Sequence, residues 1–253
     1  MSADDPFTDA TYDNRVQMSD LDRLRRLAIV GAVLAAVVSV PANLAFFAAF
    51  GGDPEAAFYG TPNAILGGGP AAATLLRWGA IGDIFYSYLL LLPLALFIHR
   101  RLREKSPWLA DIGLVCGFAY IFAGAAGAAI LAIAGSALVD AYSTAASADQ
   151  AHITTAFDLV RNIVFFALWQ LLDVITLGTW IMTTGLLLLR DRPVTSRLLI
   201  ALGGATVAAS GLTILEVRSL VVVMLWFAVA VLVGASWGLL ARSRLRPAPR
   251  TAR

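Results

Sequence analysis

Six runs of apolar residues constrain this chain more than any other feature of its sequence. Each run holds roughly 20 or more residues, which is the length that an α-helix needs to cross the ~30 Å hydrocarbon core of a bilayer. The composition agrees, because 59% of the 253 residues are hydrophobic and 14% are charged, whereas soluble domains carry about 25% charged residues. The sequence therefore predicts an all-α, polytopic transmembrane helix bundle. The six predicted spans are 27–50, 75–98, 108–138, 160–189, 198–216 and 219–241.

The same composition argues against several classes of protein and of site. So little charge does not suit a disordered chain, a soluble enzyme or a protein that binds nucleic acid through a basic face. The single cysteine, Cys116, excludes a disulfide framework. The two histidines, His99 and His152, are too few for a three-histidine metal centre. We therefore expect no metal site, no cofactor and no nucleic-acid partner.

Basic residues alternate from one predicted loop to the next. Most of the 19 basic residues lie before span 1, in the loops after spans 2 and 4, and in the C-terminal tail. Because Arg and Lys are enriched in cytoplasmic loops, this pattern predicts that both termini lie in the cytoplasm. Lys105 is the only lysine in the chain. This Arg bias, together with the Ala and Gly content, is typical of high-GC bacteria, so we expect a bacterial cell membrane.

Two short segments flank the predicted bundle, which covers residues 23–242. Residues 1–22 are rich in Asp and predict a disordered acidic cytoplasmic arm, because they offer little apolar surface to bury. A cleaved signal peptide is the alternative, but the apolar run that follows is longer than the usual 7–15 residues. Residues 243–253 predict a basic cytoplasmic tail. Residues 51–74 are rich in Gly and Pro, which is typical of a loop without regular structure.

Three polar residues are expected at one depth in the bundle. Asp83, Asp173 and Asn43 each stand 17 residues from an arginine at the predicted cytoplasmic boundary, which places them about 25 Å above it in a helix. A carboxylate in hydrocarbon is costly and is tolerated where it faces protein or water, so such residues are candidates for function. The candidate partners of the two carboxylates are Arg77, Arg161, Asn43, Gln170 and Tyr86.

Span 4 carries a stripe of polar and aromatic residues. Asp158, Asn162, Phe165, Trp169 and Asp173 recur at steps of three and four, which is the spacing of one helical face. Such a stripe is expected to point into the bundle, where it either lines a cavity or supplies hydrogen bonds between helices. The predicted lining of an outward-facing polar cavity is Asn43, Arg77, Asp83, Tyr86, Asp158, Arg161, Asn162, Trp169, Gln170 and Asp173.

Small residues and prolines indicate how the spans pack. Gly113 and Gly117 on span 3 predict a face on which another helix of the same chain packs closely. Gly124 and Gly127 lie at the level of the polar residues, where their small size leaves room beside them. Pro93 predicts a kink in span 2.

Long stretches of the chain resemble a known type of membrane protein. The segments are "LDRLRRLAIVGAVL", "GDIFYSYLLLLPLALFIHRRLREKSPWLADIG" and "GLLLLRDRPVTSRLLIALGGATVAASG". They resemble a bacterial family of uncharacterised six-helix integral membrane proteins, a domain of unknown function. The resemblance implies a topology and brings no activity and no catalytic residues.

Three classes of function remain open. The first is binding or carriage of a small solute or lipid in the polar cavity, with the lipid bilayer and that ligand as the partners. The second is a structural or accessory membrane protein whose polar layer fixes helix packing. The third is a lipid-modifying enzyme with Asp83 or Asp173 as general acid or base. It ranks last because the sequence offers neither a nucleophile nor a metal site, so we assign no catalytic residues.

Overall fold

Long helices account for almost all of the structure. A computed structural model describes residues 6–53, 57 and 60–215 of the chain, and within them there are helices and loops but no strand. Five helices are long and apolar enough to cross a membrane, so the all-α prediction is confirmed. The predicted sixth span, 219–241, and the predicted basic tail, 243–253, lie outside the described residues. The five helices are α1 (Pro6–Ala49), α2 (Gly69–Leu102), α3 (Pro107–Tyr142), α4 (Ser147–Leu188) and α5 (Pro193–Ile214).

Two segments predicted as irregular are helical in part. Helix α1 begins at Pro6, inside the predicted disordered arm 1–22. The prediction weighed only burial, whereas a nucleated helix gains one hydrogen bond for each residue that it adds. Helix α2 begins at Gly69, inside the predicted loop 51–74, and the one-turn helix Asn63–Leu66 precedes it. The side chains of Ile65 and Leu66 are fully buried, so this loop packs onto the bundle.

Prolines and glycines set the helix ends. Pro70 and Pro107 occupy the first turns of α2 and α3, where a missing N–H costs no hydrogen bond and the fixed φ suits a helix. After α1 the chain turns through Gly51 and Gly52, whose φ angles of 74° and 81° are disfavoured for residues with a Cβ.

Several of the long helices contain π-helical stretches, in which hydrogen bonds join residues five apart. They span Ile84–Tyr88 in α2, Leu131–Gly135 in α3 and Asn162–Asp173 in α4. In α2 a 3₁₀ turn, Leu89–Leu91, follows at once. Pro93 comes just after it, and its missing N–H removes an α-helical hydrogen bond at this point. Pro93 therefore marks a local break in α2. The π-helical turn that precedes it is of a kind that occurs frequently at functional sites.

Helix α4 is the central helix of the described bundle. In its most apolar window 67% of the residues are buried, against 22% in α1. The half-buried Trp169 of α4 packs against both of the hydrophobic clusters that form the core. The apolar side chains of Val37, Leu44 and Phe122 point outward, with exposures of 64%, 67% and 78%. An apolar outer face of this kind suits a hydrocarbon surrounding.

The predicted packing face on α3 is confirmed. A Cβ added at Gly113 would lie 2.9 Å from Thr183 Oγ1, and one at Gly117 would lie 2.9 Å from the indole of Trp180. Both neighbours belong to α4, so the contact is made within the chain. Because Gly113 and Gly117 carry no side chain, the large Trp180 ring can lie between the two helices.

Candidate functional site

Asp173 is a buried carboxylate with one unpartnered oxygen. It ends the π-helical stretch of α4 and is 3% exposed. Its Oδ2 accepts a hydrogen bond of 3.0 Å from the hydroxyl of Tyr88 on α2. Its Oδ1 is also buried and has no hydrogen-bond partner among the described residues. An unsatisfied buried acceptor costs about 1–3 kcal/mol, and more when it is charged, so this atom requires an explanation.

Asp83 belongs to the same group of side chains. Its Oδ1 accepts a hydrogen bond of 2.6 Å from Ser87 Oγ, and the Tyr120 hydroxyl of α3 donates to the Ser87 carbonyl at 3.2 Å. The rings of Tyr120 and Tyr88 lie 5.3 Å apart between centroids. The carboxylates of Asp83 and Asp173 are close enough to repel each other. We call Asp83, Ser87, Tyr88, Tyr120 and Asp173 the polar cluster.

The π-helical turn of α2 explains how Asp83 and Tyr88 reach one site. In this turn the N–H of Leu89 donates to the carbonyl of Ile84, five residues earlier. Such hydrogen bonds place residues five apart, such as Asp83 and Tyr88, above one another on one face. An ordinary α-helix of 3.6 residues per turn would direct these two side chains to different faces.

Asn43 and Tyr86 extend the polar cluster toward α1. The Tyr86 hydroxyl donates to Asn43 Oδ1 at 3.1 Å, and Asn43 Nδ2 donates to the Ser39 carbonyl at 2.8 Å. Tyr86 also interacts with the carboxylate of Asp83. Three residues predicted to line the site, Asn43, Tyr86 and Asp83, therefore lie together.

The two outer arginines do not pair with these carboxylates. Arg77 Nε donates to Ser136 Oγ at 3.2 Å. Arg161, which is 7% exposed, pairs with Asp158 at 2.8 Å and donates to the carbonyl of Gly60. Sequence analysis predicts both arginines as candidate partners of the intramembrane aspartates. Arg77 instead binds Ser136, and Arg161 binds Asp158 and the carbonyl of Gly60. Gly60 lies in a loop whose place in the fold was not predictable from the sequence.

The remaining predicted residues divide between two places. Asn162 Nδ2 donates to Asp158 Oδ2 at 3.3 Å, so Asn162 joins Asp158 and Arg161 near the loop before α2. Trp169 Nε1 donates to the Gly124 carbonyl of α3 at 3.2 Å. Gln170 is buried at 8% exposure. The predicted lining is therefore not one continuous wall.

The room predicted beside the glycines of α3 is filled by aromatic side chains. A Cβ at Gly124 would overlap the Tyr88 ring, and one at Gly127 would lie 2.7 Å from Trp169 Nε1. The structure thus shows the polar cluster closed, in contrast to the predicted open cavity. A cleft is present elsewhere, lined by His99, Trp180 and Thr183 among others, and none of the predicted lining residues borders it.

Sequence reasoning missed Ser87, Tyr88 and Tyr120. The only signal for Tyr88 was its spacing of five from Asp83, which has meaning only once the π-helical turn is known.

Chemically, the polar cluster offers carboxylate oxygens, a backbone carbonyl and aromatic faces. Among the described residues no group of three or more His, Cys, Asp or Glu could hold a metal ion.

Comparisons with known proteins add no relative. No family model, curated protein or solved structure matches the chain. The resemblance to six-helix membrane proteins stays a prediction, and the functional argument depends on the residues of the site.

Proposed function

We propose that this chain is a multi-pass protein of a bacterial cell membrane that binds or carries a small solute or lipid at the polar cluster. In the proposed topology six spans cross the membrane and both termini lie in the cytoplasm. The five long apolar helices support a multi-pass arrangement, and the alternation of basic loops supports the orientation.

The unpartnered Oδ1 of Asp173 is the observation that carries the binding proposal. A carboxylate at this depth is expensive, and such residues typically mark the path or site of a ligand. Tyr88 satisfies one oxygen of Asp173 and leaves the other without a donor. A ligand that fills this position would complete the hydrogen bonding of the site.

Helix packing is a second candidate role with its own supporting observation. The hydrogen bonds from Tyr88 to Asp173 and from Trp169 to Gly124 each join two helices. Bonds of this kind contribute about 0.6 kcal/mol on average in a membrane protein. In this interpretation the polar cluster fixes the arrangement of α2, α3 and α4, and no ligand enters it.

Access of water to Ser87 separates the two roles. Cys116 is the only cysteine, so a Cys116→Ser background gives a chain to which one thiol is added. We expect Ser87→Cys in this background to react with a membrane-impermeant methanethiosulfonate added from outside, because a binding site must open to admit its ligand. Labelling is read by mass spectrometry on the full chain in vesicles.

Two matched variants calibrate this experiment. Phe122→Cys, at an outward apolar position that is 78% exposed, should stay unlabelled because it faces lipid. Asp140→Cys, exposed at the end of α3, gives the rate for an accessible thiol. If Ser87→Cys reacts no faster than Phe122→Cys, the packing role stands and the binding proposal is rejected.

A further inference from the structure

We infer that the ligand of the polar cluster carries a single positive charge, as an ammonium group or an alkali-metal ion. This inference rests on the proposed function and names the chemical class of the ligand. It begins from the two carboxyl groups of the polar cluster, Asp83 and Asp173, which interact electrostatically with each other. The buried Oδ1 of Asp173 is left without any donor among the described residues.

Among the described residues, no positively charged side chain forms a salt bridge with either of these two carboxylates. The groups that contact the two carboxylates within the described ranges are neutral hydroxyls, those of Ser87 and Tyr86 at Asp83 and that of Tyr88 at Asp173. The salt bridges in the described part of the chain use other carboxylates, including that of Asp158 with Arg161. A bound cation would supply the missing countercharge, whereas an anion would add to the repulsion.

The aromatic side chains around the polar cluster favour the same charge. Tyr120 lies 5.3 Å from Tyr88 and 6.4 Å from Trp180, measured between ring centroids. The faces of such rings attract cations, most strongly where water is excluded. A carboxylate pair beside a group of tilted aromatic rings is complementary to a cation in both respects.

The close packing limits the size and charge of the ligand. Asp173 is 3% exposed, and the Tyr88 ring fills the space beside Gly124. A ligand that reaches Oδ1 must enter this close packing, which favours a small group. No group of three or more acidic, His or Cys side chains is present here among the described residues, and we therefore restrict the inference to a monovalent cation.

Thermal unfolding of the full chain in neutral detergent tests the inference. Sodium, potassium and methylammonium chloride each replace N-methylglucamine chloride at constant ionic strength, and these arms distinguish an alkali ion from an ammonium group. We expect at least one of these cations to raise Tm by about 3–6 °C at roughly ten times its Kd. The rise should disappear in Asp173→Asn and persist in Asp140→Asn, which removes an exposed carboxylate. No rise in the unmodified chain, or an equal rise in Asp173→Asn, overturns the inference.

A second measurement does not require the Asp173 variant to fold. In the Cys116→Ser background, Ser87→Cys is labelled with cationic and anionic methanethiosulfonates, and each rate is divided by that of Asp140→Cys. We expect the normalised rate to be at least about tenfold higher for the cationic reagent, because like charges are rejected at a charged site. Equal normalised rates overturn the charge class and leave the binding proposal standing. Absence of labelling by both reagents overturns the binding proposal as well.

Discussion

At the scale of single residues, Asp173 uses only a small part of its hydrogen-bonding capacity. An ionised carboxylate has about four acceptor positions, and the described structure gives Asp173 one donor, the Tyr88 hydroxyl. An asparagine at this position would accept the same bond without bringing a charge into the bundle. Packing therefore accounts for the hydrogen bond and leaves the second carboxyl oxygen unexplained, which is why we propose that the residue takes part in ligand binding.

Gly124 makes the position of Tyr88 possible. A Cβ at Gly124 would overlap the Tyr88 ring, so we predict that Gly124→Ala lowers the free energy of unfolding by about 1–3 kcal/mol through overpacking. Chemical or thermal unfolding in detergent measures the change. Gly204→Ala is the control, since no atom lies within 4 Å of a Cβ at that position. Equal effects of the two substitutions would show that the Tyr88 ring does not lie against Gly124.

At the scale of helices, the apolar runs of the sequence predict which segments span a membrane. They do not predict the hydrogen-bond pattern of the helical turns. Runs of roughly 20 apolar residues identify spans because the bilayer fixes the required length. Hydropathy contains no information on the offset of backbone hydrogen bonds, so the π-helical turn Ile84–Tyr88 could not be predicted. Because that turn decides which residues share a face, the depth of Asp83 and Asp173 was predictable and the role of Tyr88 was not.

The hydrogen-bond partners of long side chains could not be predicted from the sequence either. Arg161 on α4 and Gly60 in the loop before α2 are separated by 101 residues, and no local pattern connects them. The fully buried Ile65 and Leu66 show that this Gly-rich loop packs onto the helix ends. Composition predicts a loop here and gives no position for it.

Arg161 fastens this loop to the central helix. We predict that Arg161→Gln lowers the free energy of unfolding by about 2–3 kcal/mol. This is less than for a fully buried ion pair, because the Asp158 side chain is 42% exposed. Faster proteolysis between residues 51 and 68 should accompany the loss. Arg197→Gln, an exposed site on α5, is the control and should change neither quantity. Unchanged proteolysis in Arg161→Gln would contradict the proposed anchoring.

At the scale of the whole molecule, the bilayer explains an outer surface that would be unfavourable in water. Outward-facing side chains on α1 and α3, such as Val37 and Phe122, are apolar and more than half exposed. Trp78 and Trp108 are 63% and 67% exposed and lie near the ends of their helices, where amphipathic rings meet the headgroups. The polar groups are instead concentrated inside, around the central helix α4.

The proposed topology makes a prediction about two fusion points. A green fluorescent protein fused after Arg253 should fluoresce, because the tail is expected in the cytoplasm. The same domain fused after Leu215, at the end of α5, should be dark, while alkaline phosphatase fused there should be active. Fluorescence at both points would exclude a sixth span between Leu215 and Arg253, and fluorescence at Leu215 alone would exclude a cytoplasmic C-terminus.

Hydrogen–deuterium exchange of the full chain in lipid nanodiscs tests most directly whether the polar cluster is a site that opens to water. The π-helical stretches Ile84–Tyr88 and Asn162–Asp173 contain Ser87, Tyr88 and Asp173 of the cluster, and Leu131–Gly135 in α3 is a matched π-helical stretch that contributes none of its residues. A binding site that opens predicts faster exchange in the first two stretches than in the third, because local opening exposes their amides. Equal, slow exchange in all three stretches would contradict the account and favour a polar cluster that only holds the helices together.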